Sequence, residues 1–207
     1  MVVARRLTGY GPAVFALIAL AVLMIGCAAG RKKSIVEEMK NVPRPHVTLE
    51  TNHGSMTLEI WRDVAPNHAD SFLTRTAEGF YDGTIFHRVI DNFMIQGGGY
   101  AVGGAPKQVE YTLDAEFNDN PHVEGTLSMA RTPDPNSAST QFFVCLGRTP
   151  HLDGKYTVFG QLVSGLDVLH AIGRVPCGGQ GREKSVPLEE VVLQRAYVSD
   201  AEGNPLK

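Results

Sequence analysis

Three stretches of the chain set polar or flexible residues into runs whose composition is otherwise that of β-strands. The first is Phe86-His87-Arg88-Val89-Ile90-Asp91-Asn92-Phe93-Met94-Ile95-Gln96-Gly97-Gly98. The second, Gly125-Thr126-Leu127-Ser128-Met129-Ala130-Arg131, continues through a Pro- and Ser-rich loop to Gln141-Phe142-Phe143. The third is His151-Leu152-Asp153-Gly154-Lys155-Tyr156-Thr157-Val158-Phe159-Gly160. Alternation along a strand puts Met94 with Gln96 on one face, and Gln141 with Phe143 on one face, so each pair can line a groove. Taken singly, Arg88 reads as a surface or salt-bridged strand residue, and Phe93, Met94 and Phe143 as core. His87 reads as a structural histidine. Several chemistries are excluded. The seven histidines show no HExxH spacing and no CxxC accompanies them, so no metal site is expected. No GxSxG elbow is present. Gly97 to Gly104 is glycine-rich but lacks the strand-to-helix setting of a phosphate loop.

In order and spacing, the three stretches strongly resemble the cyclophilins, the peptidyl-prolyl cis/trans isomerases, from about Val47 to Val198. The Ala-Arg-Thr-x-Asp-Pro wording of Ala130 to Pro135 is similar to the bacterial branch. The resemblance implies a reaction without nucleophile, proton transfer or cofactor: an X-Pro amide rotates over a barrier near 20 kcal/mol once its resonance is lost. Accelerating that event by ~10⁵ needs about 7 kcal/mol of preference for the twisted amide. Arg88 matches the family's catalytic arginine, whose forked, permanently charged donors can bond the prolyl nitrogen only when its lone pair is freed. Phe93, Met94, Phe143 and Leu152 match the hydrophobic proline pocket, and Gln96 and Gln141 its polar positions. Ala130, Arg131 and Thr132 match the segment that binds substrate backbone, with Arg131 replacing the residue best known there in eukaryotic members. Tyr156 stands where many members have His. His151 stands where many have an aromatic such as Trp, so weak binding of cyclosporin-like ligands is expected. Gly99 stands where Asp is common, which puts a local turn contact in question. The implied partners are proline-containing peptides and unfolded exported proteins, met by a monomer. The competing class is a proline-peptide-binding or scaffolding module with little turnover.

A strand-rich frame must position these residues. Strand composition recurs at Val47 to Thr51, Ser55 to Trp61, Thr84 to Ile90, Phe93 to Gln96, Thr126 to Ala130, Gln141 to Leu146, Thr157 to Leu162 and Glu190 to Val198. Asn52-His53-Gly54 reads as a hairpin turn. Ala65 to Glu78 has a helical period (Ala69, Phe72, Leu73, Ala77), opened by Pro66 and stopped by Gly79. Gly165 to Ile172 is a shorter helix with Gly173 as its stop. The expectation is a mainly β fold: a closed antiparallel barrel of eight strands capped by two helices, one isomerase domain over 46–200 with a tail at 201–207.

The N-terminus reads as an address. Arg5 and Arg6 precede an apolar stretch from Ala13 to Ile25, followed by Gly26-Cys27-Ala28-Ala29-Gly30 and the basic run Arg31-Lys32-Lys33. Thirteen helical residues rise about 20 Å against a hydrocarbon core of roughly 30 Å, so a permanent span is the weaker reading. Leu23-Met24-Ile25-Gly26-Cys27 resembles a bacterial lipobox. That implies a signal at 1–26, a lipid on Cys27 anchoring the protein outside a membrane in the cell envelope, and a flexible tether over 27–45; conventional cleavage or an uncleaved anchor are the alternatives. Without Met1 to Gly26, Lys+Arg falls from 19 to 17 against 22 acids, so the net charge moves from -3 to -5. A nucleic-acid face is therefore not expected. Cys145 sits in a strand-like run and Cys177 in a Gly-rich loop; a disulfide between them cannot be read from two positions.

Overall fold

The computed structural model describes residues 37, 39, 41–107, 109–179 and 184–206. The expected signal and Cys27 lie outside the described residues. Of the expected tether, Glu37 and Met39 are helical, and its last residues are tied down. Met39 packs against the core, its carbonyl accepts from the Arg62 guanidinium, and the Pro43 and Pro45 carbonyls accept from Arg62 N (3.0 Å) and Ile60 N (2.8 Å). The flexible reading of 27–45 therefore fails at its C-terminal end.

The chain opens with a hairpin of β1 (His46–Thr51) and β2 (Gly54–Ile60), whose register pairs Thr51 with Gly54. The tight turn needs glycine twice over at Gly54: φ is 124°, and a Cβ there would sit 2.8 Å from Val168 Cγ2. Helix α1 (Pro66–Glu78) follows, with proline in its first turn and Gly79 in the left-handed region (φ 75°) donating to the Arg75 and Thr76 carbonyls. Then come β3 (Thr84–Ile85), β4 (Arg88–Ile90), β5 (Met94–Gly97), β6 (Thr126–Met129), β7 (Phe142–Cys145), a 3-10 turn (Pro150–Leu152), β8 (Val158–Ser164), α2 (Leu166–Gly173), β9 (Cys177–Gly178), β10 (Val186–Pro187) and β11 (Val192–Ser199).

Nine strands form one antiparallel sheet in the order β3-β11-β1-β2-β8-β6-β7-β5-β4; β9 and β10 pair separately. This corrects the expected closed barrel of eight strands. The single run Thr84 to Ile90 divides at Phe86-His87 into β3 and β4, which are the two ends of the sheet and share no ladder. Phe86 leaves the strand direction because its side chain enters the core at 1% exposure while its N–H donates to the Val191 carbonyl (2.9 Å). The same division dictates the curl. Laid flat, nine strands would hold their edges roughly 38 Å apart, whereas the two linking residues span at most about 11 Å. The sheet must therefore roll up to bring its ends together.

Helix α1 lies against β11 and β8, and α2 against β2, β4 and β5. Phe72 of α1 anchors the rolled interior, with Tyr81, Phe142 and Phe159 at ring distances of 5.1, 5.3 and 5.5 Å. Ile95, Leu127, Met129, Phe142 and Val144 point into this core. Their alternate neighbours Met94, Phe143 and Cys145 join Leu152 in a second, smaller cluster, so strand periodicity delivers a separate apolar patch to the outer face of the sheet. The expected tail is held as well: Leu206 N donates to the Val198 carbonyl (3.1 Å) and Asp200 N to that of Asn204 (3.0 Å).

Candidate active site

The register aligns the chemistry. Arg88 of β4 stands opposite Gln96 of β5, Gln96 opposite Phe143 of β7, and Phe143 opposite Ser128 of β6. The neighbouring row is Ile90, Met94 and Cys145. Adjacent strands are about 4.8 Å apart, so the row from Arg88 to Ser128 spans roughly 14 Å of the outer face. Above it lies a half-open pocket of about 120 Å³ lined by Arg88, Phe93, Met94, Gln96, Ala130, Arg131, Phe143, Leu152 and Tyr156. Gln96, Ala130 and Arg131 also border an adjoining depression that Thr132, Ser137, Ser139 and Gln141 complete. His151 lines neither; it is exposed, its ring 5.6 Å from that of Phe93.

Met94, Phe143 and Leu152 form a nearly inaccessible floor. The Tyr156 ring meets Phe143 edge-on at 5.8 Å. The polar rim is a chain of amides: Arg88 Nη1 lies 3.5 Å from Gln96 Oε1, and Gln96 Nε2 donates to Gln141 Oε1 at 3.0 Å. Gly99 makes room for that chain, because a Cβ there would sit 2.5 Å from Gln141 Cγ and Cδ. The position where Asp is common in the family thus supports the Gln141 side chain here. His87, beside Arg88, is half-buried with its ring 4.6 Å from Tyr100; burial first, and then the Arg88 charge, push it down to about 4, so it is neutral at neutral pH.

Beneath Phe143 lies a relay that the sequence reading did not assemble. The His122 ring stacks on Phe143 (6.0 Å, 14° between planes), with Nδ1 3.1 Å from Asp153 Oδ1 and Nε2 3.0 Å from Ser128 Oγ. Asp153 also accepts from His122 N at 2.8 Å and from Arg148 Nη2. Burial holds His122 below its usual range despite Asp153, and the hydrogen bond from Arg148 first of all holds Asp153 well below the carboxylate range. The imidazole bridges the Asp153 carboxylate through Nδ1 and the Ser128 hydroxyl through Nε2. Ser128 Oγ donates to the Thr157 carbonyl at 2.9 Å, an oxygen that also accepts from Met129 N at 3.0 Å. Serine, histidine and aspartate stand in a hydrolase's order, yet Ser128 and His122 are both at 0% exposure, so no substrate reaches the hydroxyl. The signal for this relay was a lone serine inside the strand Thr126–Met129. Cys145 and Cys177 are free thiols; Cys145 is pushed up to about 11 by burial.

A rolled antiparallel sheet with two helices, carrying on its outer face an apolar pocket rimmed by an arginine and two glutamines, defines a cyclophilin fold. Comparison with protein families matches residues 46–198 to "Cyclophilin type peptidyl-prolyl cis-trans isomerase/CLD". Peptidyl-prolyl cis-trans isomerase B of Escherichia coli (strain K12) is 39% identical over 163 residues, covering 74% of this chain and 99% of the relative. Peptidyl-prolyl cis-trans isomerase-like 1 of Gibberella zeae is 41% identical over 161 residues, covering 76% and 96%. Among solved structures, a cyclophilin type peptidyl-prolyl cis-trans isomerase of Cryptosporidium parvum has a TM-score of 0.66 at 28% identity, covering 76% of this chain and 98% of its own. The same enzyme in the presence of the dipeptide Ala-Pro has a TM-score of 0.65. The chain belongs to the cyclophilin-type peptidyl-prolyl cis-trans isomerase family, and it is an enzyme of that activity.

Proposed function

We propose that the outer-face pocket is where X-Pro bonds are rotated, and that the substrates are exported proteins met outside a membrane. The observation that carries the site assignment is the cross-strand row: one ladder sets Arg88 beside Gln96 and Phe143 at the rim of an apolar pocket. Met94, Phe143 and Leu152 hold the proline ring by burial, while Phe93 and Tyr156 close its sides. The amide of Gln96 and the Ala130 to Thr132 segment take the substrate backbone. With the ring fixed, the carbonyl of the preceding residue swings. As conjugation is lost the prolyl nitrogen gains a lone pair, and Arg88 donates to it in the twisted state alone. Strand pairing fixes where that donor stands, so little reorganisation opposes the step. His151 supplies less apolar surface than an indole, which favours weak cyclosporin binding by a monomeric enzyme.

The export part of the proposal rests on the signal-like 1–26, Cys27 as lipid acceptor and the segment 27–45 that links it to the domain, with the enzyme anchored in the cell envelope. Among the described residues no helix is long and apolar enough to cross a membrane. Two measurements test the whole. A protease-coupled proline tetrapeptide assay is expected to lose at least a hundredfold in kcat/KM with Arg88→Ala. Equal rates would remove Arg88 from the chemistry, and no rate in either protein would favour a peptide-binding module. Labelling with a radioactive fatty acid should mark the wild type and spare Cys27→Ala; label retained by the variant would exclude Cys27 as the attachment site.

A further inference from the structure

Arg131 stands where the two depressions of the outer face meet, lining both. Its guanidinium is clamped rather than free. The plane lies 4.5 Å from the Tyr156 ring centre and 5.8 Å from that of Phe117. Nε and Nη2 donate to the Lys155 carbonyl at 3.0 and 2.7 Å, and Nη1 donates to those of Thr132 and Pro133 at 2.8 and 3.2 Å. Four of its five N–H donors are thereby used, leaving one on Nη2. Carbonyls and aromatic faces orient the cation without neutralising it, and among the described residues no carboxylate lies within 4.0 Å of it. Neither depression is lined by an Asp or Glu among the described residues, although the chain carries 22 acids against 19 bases. Arg88 adds a second positive charge to the first depression. The nearby Asp153 is committed to Arg148 and His122.

We propose that Arg131 is a specificity-determining residue that favours prolyl segments carrying a carboxylate side chain next to the proline. The inference rests on the outer-face pocket being the substrate site. A chain whose proline occupies the first pocket passes Arg131 on its way into the second depression, and an Asp or Glu there meets a pre-oriented charge. Because the guanidinium is already immobilised, binding loses no rotamer freedom on the protein side. The solvent-facing position keeps the effect in the range of an exposed ion pair. The expected preference is three- to fivefold in kcat/KM for Glu over Gln, about 0.7–1 kcal/mol.

The test compares tetrapeptides with Glu, Gln or Lys on either side of the proline, using the protein in 0.1 M and 1 M NaCl. The expected order at one of the two positions is Glu above Gln above Lys, collapsing in high salt, where the screening length falls from about 10 to about 3 Å. The Glu-to-Gln ratio should approach one in Arg131→Gln and persist in Arg131→Lys; a ratio within one protein is insensitive to any overall loss of activity. Wild-type ratios within twofold at both positions, or a preference that survives Arg131→Gln or 1 M salt, would overturn the proposal. Should Arg131→Gln fail to fold, the wild-type salt series decides alone. If no peptide is turned over, the isomerase site assignment fails instead, and titration of the Glu and Gln peptides followed by NMR shifts still reads the preference.

Discussion

Ser128→Ala removes one hydroxyl from the middle of a buried strand, and the relay beneath Phe143 says what that costs. Ser128 and His122 are both fully buried, with Oγ 3.0 Å from His122 Nε2. The Thr157 carbonyl loses nothing essential, since Met129 N still donates to it at 3.0 Å. The orphan created is His122 Nε2, and an unsatisfied buried polar atom costs about 1–3 kcal/mol. For a domain of this size that lowers Tm by roughly 2–4 °C per kcal/mol, a drop of about 2–12 °C. His122→Phe keeps a flat ring against Phe143 while removing both nitrogens, and Asp153 retains Arg148. With the ring nitrogens gone, the second loss of Ser128 should cost about 1 kcal/mol less than in the wild type. The assay is urea unfolding of the wild type, both single variants and the double variant at pH 7.5, analysed as a cycle. Ser128→Ala within about 0.3 kcal/mol of wild type, or strictly additive costs, would refute the coupling of Ser128 to His122.

Two further outcomes follow from the same geometry. Gly99→Asp drives a Cβ into the Gln141 side chain, within 2.6 Å of its Nε2, and so strips Gln96 of its partner; the tetrapeptide assay should show kcat/KM reduced several-fold while stability moves by less than about 1 kcal/mol, with Gln141→Ala reproducing the loss. Stability should fall as pH is lowered from 7 towards 5, because burial depresses His68, His87 and His122 below the ordinary value near 6.5. Above that value both states are neutral and the full stability is present; below it the unfolded chain protonates first, a loss that continues until the folded histidines titrate, near 4 for His87. Unfolding free energies at pH 7.5, 6 and 5 that stay level or rise would contradict this.

Local chemistry made much of the frame readable. Pro66 and Gly79 bracket α1, and Asn52-His53-Gly54 makes the hairpin, because each acts within a turn of its own position. Alternation likewise placed Met94 with Gln96, and Gln141 with Phe143. It could not say which strands adjoin: the Thr48 to Ser199 hydrogen bond that joins β1 to β11 crosses 151 residues. For the same reason the run from Thr84 to Ile90 read as one strand, since composition carries no record that Phe86 turns inward. The Ser128, His122 and Asp153 relay was illegible because its members lie 6 and 31 residues apart on three segments. Pocket residues were legible only through their resemblance to a family, not through any property of Arg88 or Phe143 alone.

The division at Phe86-His87 also protects the molecule from strand addition. A sheet that leaves a long unpaired edge risks recruiting extended chains by strand addition. Here a single seven-residue run supplies both edges, as strands of two and three residues. The Val89 amide on β4 is already occupied by the Ser185 carbonyl at 2.7 Å, and Thr84 of β3 bridges to Ala101. Extended polypeptide finds little backbone to template on at either edge of the sheet.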